Sequence, residues 1–179
     1  MTDVPTVLIA DDHPRARGLV VEALARSGEF RVCAEAADAD GAVAAASLER
    51  PDVCLIDINM PGNGIKAAAR IAEVVPTAAI VMLTVSRDDS DLFDALRAGA
   101  SGYLLKGMDD EQLVSDLKRV LAGEACLPGL LVARLVEEFR DREHRRVPIA
   151  EGRTAKLTGR EWDVLELMRT GATTDEIAA

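Results

Sequence analysis

Five short runs punctuate the first 123 residues: Thr6–Ala10, Phe30–Ala36, Val53–Ile58, Ala79–Thr84 and Gly102–Lys106. They are apolar almost throughout (VLIA, VCLI, AIVML), whereas a strand with one wet face would alternate polar and apolar residues. Runs of that kind suit strands buried on both faces of a parallel sheet. The stretches between them have helical spacing. Leu19, Val20, Ala23 and Leu24 form one apolar stripe, Leu92, Phe93 and Leu96 a second, and Leu113, Leu117, Val120 and Leu121 a third. Alternating strands and helices require right-handed crossovers and predict a doubly wound α/β layer structure. Gly99 stands where a left-handed residue should end the fourth helix. Asp109 with Gln112 predicts the N-terminal cap of the fifth.

The pattern changes after Gly123. Pro128 opens a predicted helix to about Arg142, with Leu131, Leu135, Val136 and Phe139 on one side. The run RDREHRR then leads into Val147–Ala155, which holds Pro148, Gly152 and little periodic signal, and reads as a linker. The last residues regain helical character. Thr158 with Glu161 and Thr173 with Glu176 match a capping box, and Gly171 separates two short helices as at the start of a helix-turn-helix. The expected division is therefore 1–124, a linker helix and linker over 125–156, and an all-α fragment over 157–179. The chain ends about six residues into the second of these helices, roughly 9 Å of helix at 1.5 Å per residue.

Charge follows the same division. Residues 1–125 hold 21 acids against 12 bases, and 126–179 hold 10 against 9, within a net charge of −10. A balance this acidic argues against a surface that grips nucleic acid all over. Three widely spaced cysteines with no CxxC pair argue against a disulfide framework or zinc site and fit a reducing cytosol. No apolar run approaches the ~20 residues that span a bilayer, and Met1–Val7 lacks the character of a secretory signal.

In an open parallel sheet, strand carboxyl ends share one edge, and ligands sit in the crevice there. Asp11 and Asp12 end the first strand, Asp57 lies near the end of the third, Thr84 ends the fourth and Lys106 the fifth. Each is commonplace alone; together they predict one pocket. Two like charges about 4 Å apart cost roughly 1 kcal/mol in water and about 4 at an effective dielectric near 20. A hard divalent cation such as Mg²⁺ relieves that repulsion with oxygen ligands. A carboxylate nucleophile can accept a phosphoryl group, and a lysine suits the phosphoryl charge.

The segments LIADDHPRARGLV, IDINMPGNG, MLTVS and GASGYLLK resemble the receiver domain of two-component response regulators, including the chemotaxis-type receivers, over roughly residues 4–123. The resemblance implies a flavodoxin-like sheet of strand order 2-1-3-4-5 and phosphorylation of Asp57 by a sensor histidine kinase. It also implies Mg²⁺ bound by Asp12, Asp57 and the backbone carbonyl of Asn59, with Asp11 acting mainly through a metal-bound water. Thr84 would hydrogen-bond the phosphoryl group, Lys106 would contact one of its oxygens, and Tyr103 would swing inward as the coupled switch. Tyr103 and Lys106 follow Thr84 by 19 and 22 residues, the family's usual separation. Two departures stand out: GNG after Pro61, where many relatives carry an acid and one more residue, and Gly107 where a proline is common.

LTGREWDVLELMRTGATTDEIA resembles the opening of a LuxR-type helix-turn-helix, and the combination is that of the NarL/FixJ class of transcriptional regulators. The expected function is a cytoplasmic regulator phosphorylated on Asp57 to control a C-terminal DNA-binding domain. It would not be a turnover enzyme, although Mg²⁺-assisted self-phosphorylation and self-dephosphorylation belong to it. Homodimerisation on activation is expected, as is DNA binding by the complete protein but not by residues 1–179. An aspartyl phosphatase of the haloacid dehalogenase type is the enzymatic alternative, disfavoured because Asn59 stands where a second acid is needed; a receiver signalling by protein contact alone is another. His13 reads as a loop residue, Cys54 as a small core residue and Trp162 as helix packing, while Asn59 and Ser86 flank the pocket.

Overall fold

In the computed structural model, the described residues are 4–85, 89–137 apart from 130 and 135, 146–149 and 153–156. The order is β1 (Thr6–Ala10), α1 (Pro14–Ser27), β2 (Arg31–Ala36), α2 (Ala39–Glu49), β3 (Val53–Asp57), α3 (Gly64–Val74), β4 (Ala79–Thr84), α4 (Asp89–Arg97), β5 (Gly102–Leu105) and α5 (Asp110–Leu121). The five strands form one parallel sheet in the order β2-β1-β3-β4-β5. This is the doubly wound fold that the strand–helix alternation predicts.

Burial on both faces holds for the inner strands β1, β3 and β4, whose residues are almost all buried. β2 is different: it lies at the sheet's edge and is only partly covered, with Arg31 and Glu35 exposed. Side chains alternate across each strand. Val7, Ile9, Leu55, Val81, Leu83 and Leu104 meet Leu24 of α1 and Leu113, Leu117 and Val120 of α5 in one core. Leu8, Cys54, Ile56, Ile80 and Met82 are the alternate set, toward α2 and α3 with their small Ala42, Ala46, Ala67 and Ala68. Leu19, counted in the apolar stripe of α1, is instead 60% exposed, because the helix is covered by the sheet and α5 on its Ala23–Leu24 side.

Helix ends follow local chemistry. Asp109 caps α5 by accepting from the Gln112 N–H at 2.7 Å. Gly99 adopts φ +95° after α4, with Gly99 N bonded to the Leu96 carbonyl and Ala100 N to that of Ala95, the paired closure of a left-handed helix terminus.

The chain divides into two compact units, Met1–Leu131 and Val132–Ala179. Within the first, Cys126 forms a parallel bridge with Gly102, its carbonyl accepts from Tyr103 N at 2.8 Å, and Leu131 is buried. Residues 129–137 are helical where described. Part of the stretch expected to be irregular linker is an antiparallel hairpin, β6 (Arg146–Ile149) and β7 (Arg153–Lys156). Four-residue strands are too short for a periodicity signal, and Pro148 is tolerated because neither strand is central. The helix-turn-helix residues 157–179, Trp162 among them, and Ser86 lie outside the described residues.

Candidate functional site

β1 releases the chain at Ala10, so Asp11 and Asp12 begin the turn into α1 at the sheet's carboxyl edge. Asp57 is the last residue of β3, and its register partner on β4 is Leu83, one residue before Thr84. Lys106 follows β5 directly, and its N–H donates to the Thr84 carbonyl at 2.7 Å. The four strand ends therefore meet at one edge because parallel pairing keeps their carboxyl termini level.

Asp11 and Asp57 are nearly inaccessible, at 1% and 3% exposure, while Asp12 is half-buried. The Lys106 ammonium bridges the two buried acids, 2.7 Å from Asp11 Oδ2 and 2.9 Å from Asp57 Oδ2. Burial is the largest single influence on this lysine and lowers its pKa. The hydrogen bonds and charges of Asp11 and Asp57 together outweigh it, and hold the group above its ordinary value. The ammonium is thus charged between the two buried carboxylates. The Asn59 N–H points at Asp57 Oδ1 from 3.4 Å, and the His13 N–H donates to Asp11 Oδ1 at 2.8 Å. Thr84 and Tyr103 are fully buried, Thr84 at the end of β4 and Tyr103 within β5.

One potential ligand atom from each of Asp11, Asp12, His13 and Asp57 lies within 4.8 Å of all the others. Three carboxylates against one ammonium leave two negative charges, and the carboxylate oxygens are hard donors. That donor set fits Mg²⁺. His13 joins the cluster as an exposed side chain whose Nδ1 sits 2.7 Å from Asp12 Oδ1, so its nearest partner is a carboxylate. A cleft of about 220 Å³ opens beside Lys106 between Leu19, Leu105 and Met108. A roomier one of about 470 Å³ lies between α1 and α5, flanked by the Arg26–Asp110 and Lys118–Glu29 ion pairs, and contains none of the clustered acids.

The loop after β3 accounts for GNG. Gly62 and Asn63 take positive φ of 83° and 72°. The Asn63 side chain accepts from Ile65 N and Lys66 N and so caps α3. A Cβ on Gly64 would stand 1.9 Å from the Asp57 carbonyl oxygen. Gly64 is therefore what lets α3 start against the peptide that carries Asp57. Sequence reading missed that role, and it missed Arg17. The Arg17 guanidinium reaches back to the Asp11 carbonyl at 2.6 Å and to Glu35 Oε2 at 2.9 Å. A signal did exist: a cation in a first helical turn opposes the helix dipole, a cost of about 0.3–1 kcal/mol unless something offsets it.

The response regulator receiver domain model matches residues 7–118. The chain belongs to the response regulator receiver family. This receiver and the residues after it are 35% identical over 176 residues to the transcriptional regulatory protein DegU of Brevibacillus brevis, covering 92% of this chain and 75% of that one. Identity to the nitrate/nitrite response regulator protein NarL of Escherichia coli strain K12 is 34% over 174 residues, covering 97% and 79%. A solved two-component response regulator of the LuxR family from Aurantimonas sp. SI85-9A1 superposes with a TM-score of 0.70 at 30% identity, over 77% of this chain and 99% of that one. The receiver thus belongs to two-component signalling, and the relatives named are regulators, not turnover enzymes. No helix among the described residues is long and apolar enough to cross a membrane.

Proposed function

We propose that this receiver is a phosphoacceptor switch with Asp57 as the phosphorylated residue. The observation that carries the reading is the Lys106 ammonium bridging Asp57 and Asp11 at the edge where Asp12 joins them. A carboxylate oxygen of Asp57 attacks the phosphorus of a phosphohistidine on a sensor kinase, or of a small acyl phosphate. The bond from phosphorus to its donor breaks, the donor keeps the electron pair, and an aspartyl phosphate forms. Lys106 then exchanges a carboxylate contact for one with a phosphoryl oxygen. Asp11, Asp12, Asp57 and the Asn59 backbone carbonyl would hold Mg²⁺, Asp11 mainly through water. When bound, the ion neutralises charge on the transferring group. Water later hydrolyses the aspartyl phosphate, so phosphorylation and its reversal are chemistry the chain performs on itself.

The Thr84 hydroxyl donates to the phosphoryl group, and Tyr103 is the aromatic side chain whose packing responds. A covalent group shifts a two-state equilibrium only through contacts that differ between the states, and the bond to Thr84 is such a contact. Output runs through the segment 125–156 to the LuxR-like residues 157–179, so that the complete protein, as a homodimer, binds DNA and controls transcription. DegU's description as a transcriptional regulatory protein, and NarL's as a response regulator, support that reading. Cys33, Cys54 and Cys126 are all free thiols, in keeping with a cytoplasmic protein.

Incubation with Mg²⁺ and acetyl phosphate should add one phosphoryl group by intact-mass analysis. The adduct should be absent from Asp57→Ala, and Thr84→Ala should accept it but respond weakly by hydrogen exchange. Equal labelling of Asp57→Ala would overturn the assignment.

A further inference from the structure

α1 starts two residues after the acid pair, and its first turn carries Arg15 and Arg17 and no acid. The helix dipole opposes cations at that end, and Arg17 is nonetheless only 18% exposed. Its partners explain it. Arg17 Nη1 donates to the Asp11 backbone carbonyl at 2.6 Å, and Nε to Glu35 Oε2 at 2.9 Å. The Asp11 N–H in turn donates to the carbonyl of Ala36, the residue after Glu35, at 3.1 Å. These contacts close a ring from Asp11 to β2, through Glu35 to Arg17, and back to Asp11. The β1 ladder ends at Ala10, so Asp11 is the first residue whose carbonyl has no place in it. A buried carbonyl needs a donor, and Arg17 is that donor.

We propose that Arg17, backed by Glu35, is a positioning residue for the cation site. By holding the Asp11 carbonyl it sets the plane of the Asp11–Asp12 peptide, and so the directions in which both carboxylates leave the backbone. The proposal rests on the reading of Asp11, Asp12 and Asp57 as the Mg²⁺ ligands. Position and charge make opposite predictions here. A cation beside a cation site repels the metal, so removing a mere charge would tighten Mg²⁺ binding, whereas removing a support would weaken it.

Calorimetric titration of the full chain with MgCl₂ separates the two. Arg17→Ala should raise the Mg²⁺ dissociation constant by about tenfold, the scale on which groups that orient metal ligands act. Glu35→Gln should raise it less, and the double variant should bind no more weakly than Arg17→Ala, since both changes cut one chain of contacts. Arg17→Lys should recover part of the loss, because an ammonium can serve one of the two partners and lacks the planar fork that serves both. Without metal, amides of residues 11–17 should exchange faster in Arg17→Ala and Glu35→Gln than in the wild type. Glu35 is an exposed surface residue, so metal-free exchange in its variant tests the support even if Arg17→Ala fails to fold. Unchanged or tighter Mg²⁺ binding by folded Arg17→Ala, or unchanged metal-free exchange at residues 11–17 in Glu35→Gln if only that variant folds, overturns the proposal. A wild type that binds no Mg²⁺ overturns instead the cation-site reading beneath it.

Discussion

Among the three clustered acids, Asp12 is the one without a contact to Lys106; its near neighbour is the exposed His13. In metal-free protein it adds repulsion that no ammonium offsets, so Asp12→Asn should stabilise the fold. The gain should be about 1 kcal/mol, the aqueous end of the Coulomb scale, because Asp12 is partly solvated. Urea unfolding in EDTA should show a higher midpoint, and added Mg²⁺ should raise the wild-type midpoint more than the variant's. A lower midpoint in EDTA would contradict this. Gly64 makes the opposite kind of contribution, through space left empty. With the Asp57 carbonyl 1.9 Å from any added Cβ, Gly64→Ala must move backbone. The expected loss is about 3 kcal/mol, the upper part of the usual range for overpacking, with slower phosphorylation because the shifted peptide carries Asp57. Wild-type stability in denaturant would show that the loop yields freely.

β3 illustrates how an element imposes chemistry on its residues. It runs through the middle of the sheet with every residue buried, and burial pushes the Cys54 thiol up to about 12 from 9.0. The sign follows directly. The folded thiol keeps its proton at a pH where the unfolded one loses it. Its contribution to stability is therefore whole below pH 9.0 and is lost as pH rises from there through about 12. Cys54→Ala should remove up to about 1.4 kcal/mol per pH unit of the alkaline slope, the value for one proton. Equilibrium unfolding across that window reads this as a difference between the two proteins, so other alkaline titrations cancel. Parallel slopes would mean that Cys54 ionises as readily folded as unfolded.

For the molecule as a whole, a five-stranded open sheet leaves two edges, β2 and β5. An unprotected edge invites pairing with another chain. At β5 the backbone carbonyl of Cys126 takes the Tyr103 N–H, and Cys126 itself is 2% exposed in the core that holds Leu104. A chain ended at Gly123 should therefore unfold at lower urea than one ended at Leu131, by about 1 kcal/mol for the lost backbone hydrogen bond alone. It should also self-associate more in size-exclusion chromatography. Equal midpoints would mean that the first unit is complete without these residues.

The order of elements, the parallel sheet and the gathering of Asp11, Asp12, Asp57, Thr84 and Lys106 at one edge were legible in the sequence. Apolar runs and helical spacing are local signals, and parallel pairing aligns strand ends by topology alone. Helix ends at Gly99 and Asp109 were legible for the same reason, since their bonds close within a few residues. What tertiary structure decided is everything that depends on contacts between distant segments. Leu19 is exposed although its spacing marked it for the core, because only the placement of the sheet and α5 determines which side of α1 is covered. Gly64 stood in the sequence only as part of GNG, a departure from the family's pattern; its place against the Asp57 carbonyl is set by the fold. Arg17 and Glu35 are 18 residues apart and belong to different elements; no periodicity joins them. Residue chemistry thus named the acids and the lysine of the pocket. The long-range hydrogen bonds that hold the Asp11 peptide in place arise only when α1 and β2 are brought together by the fold.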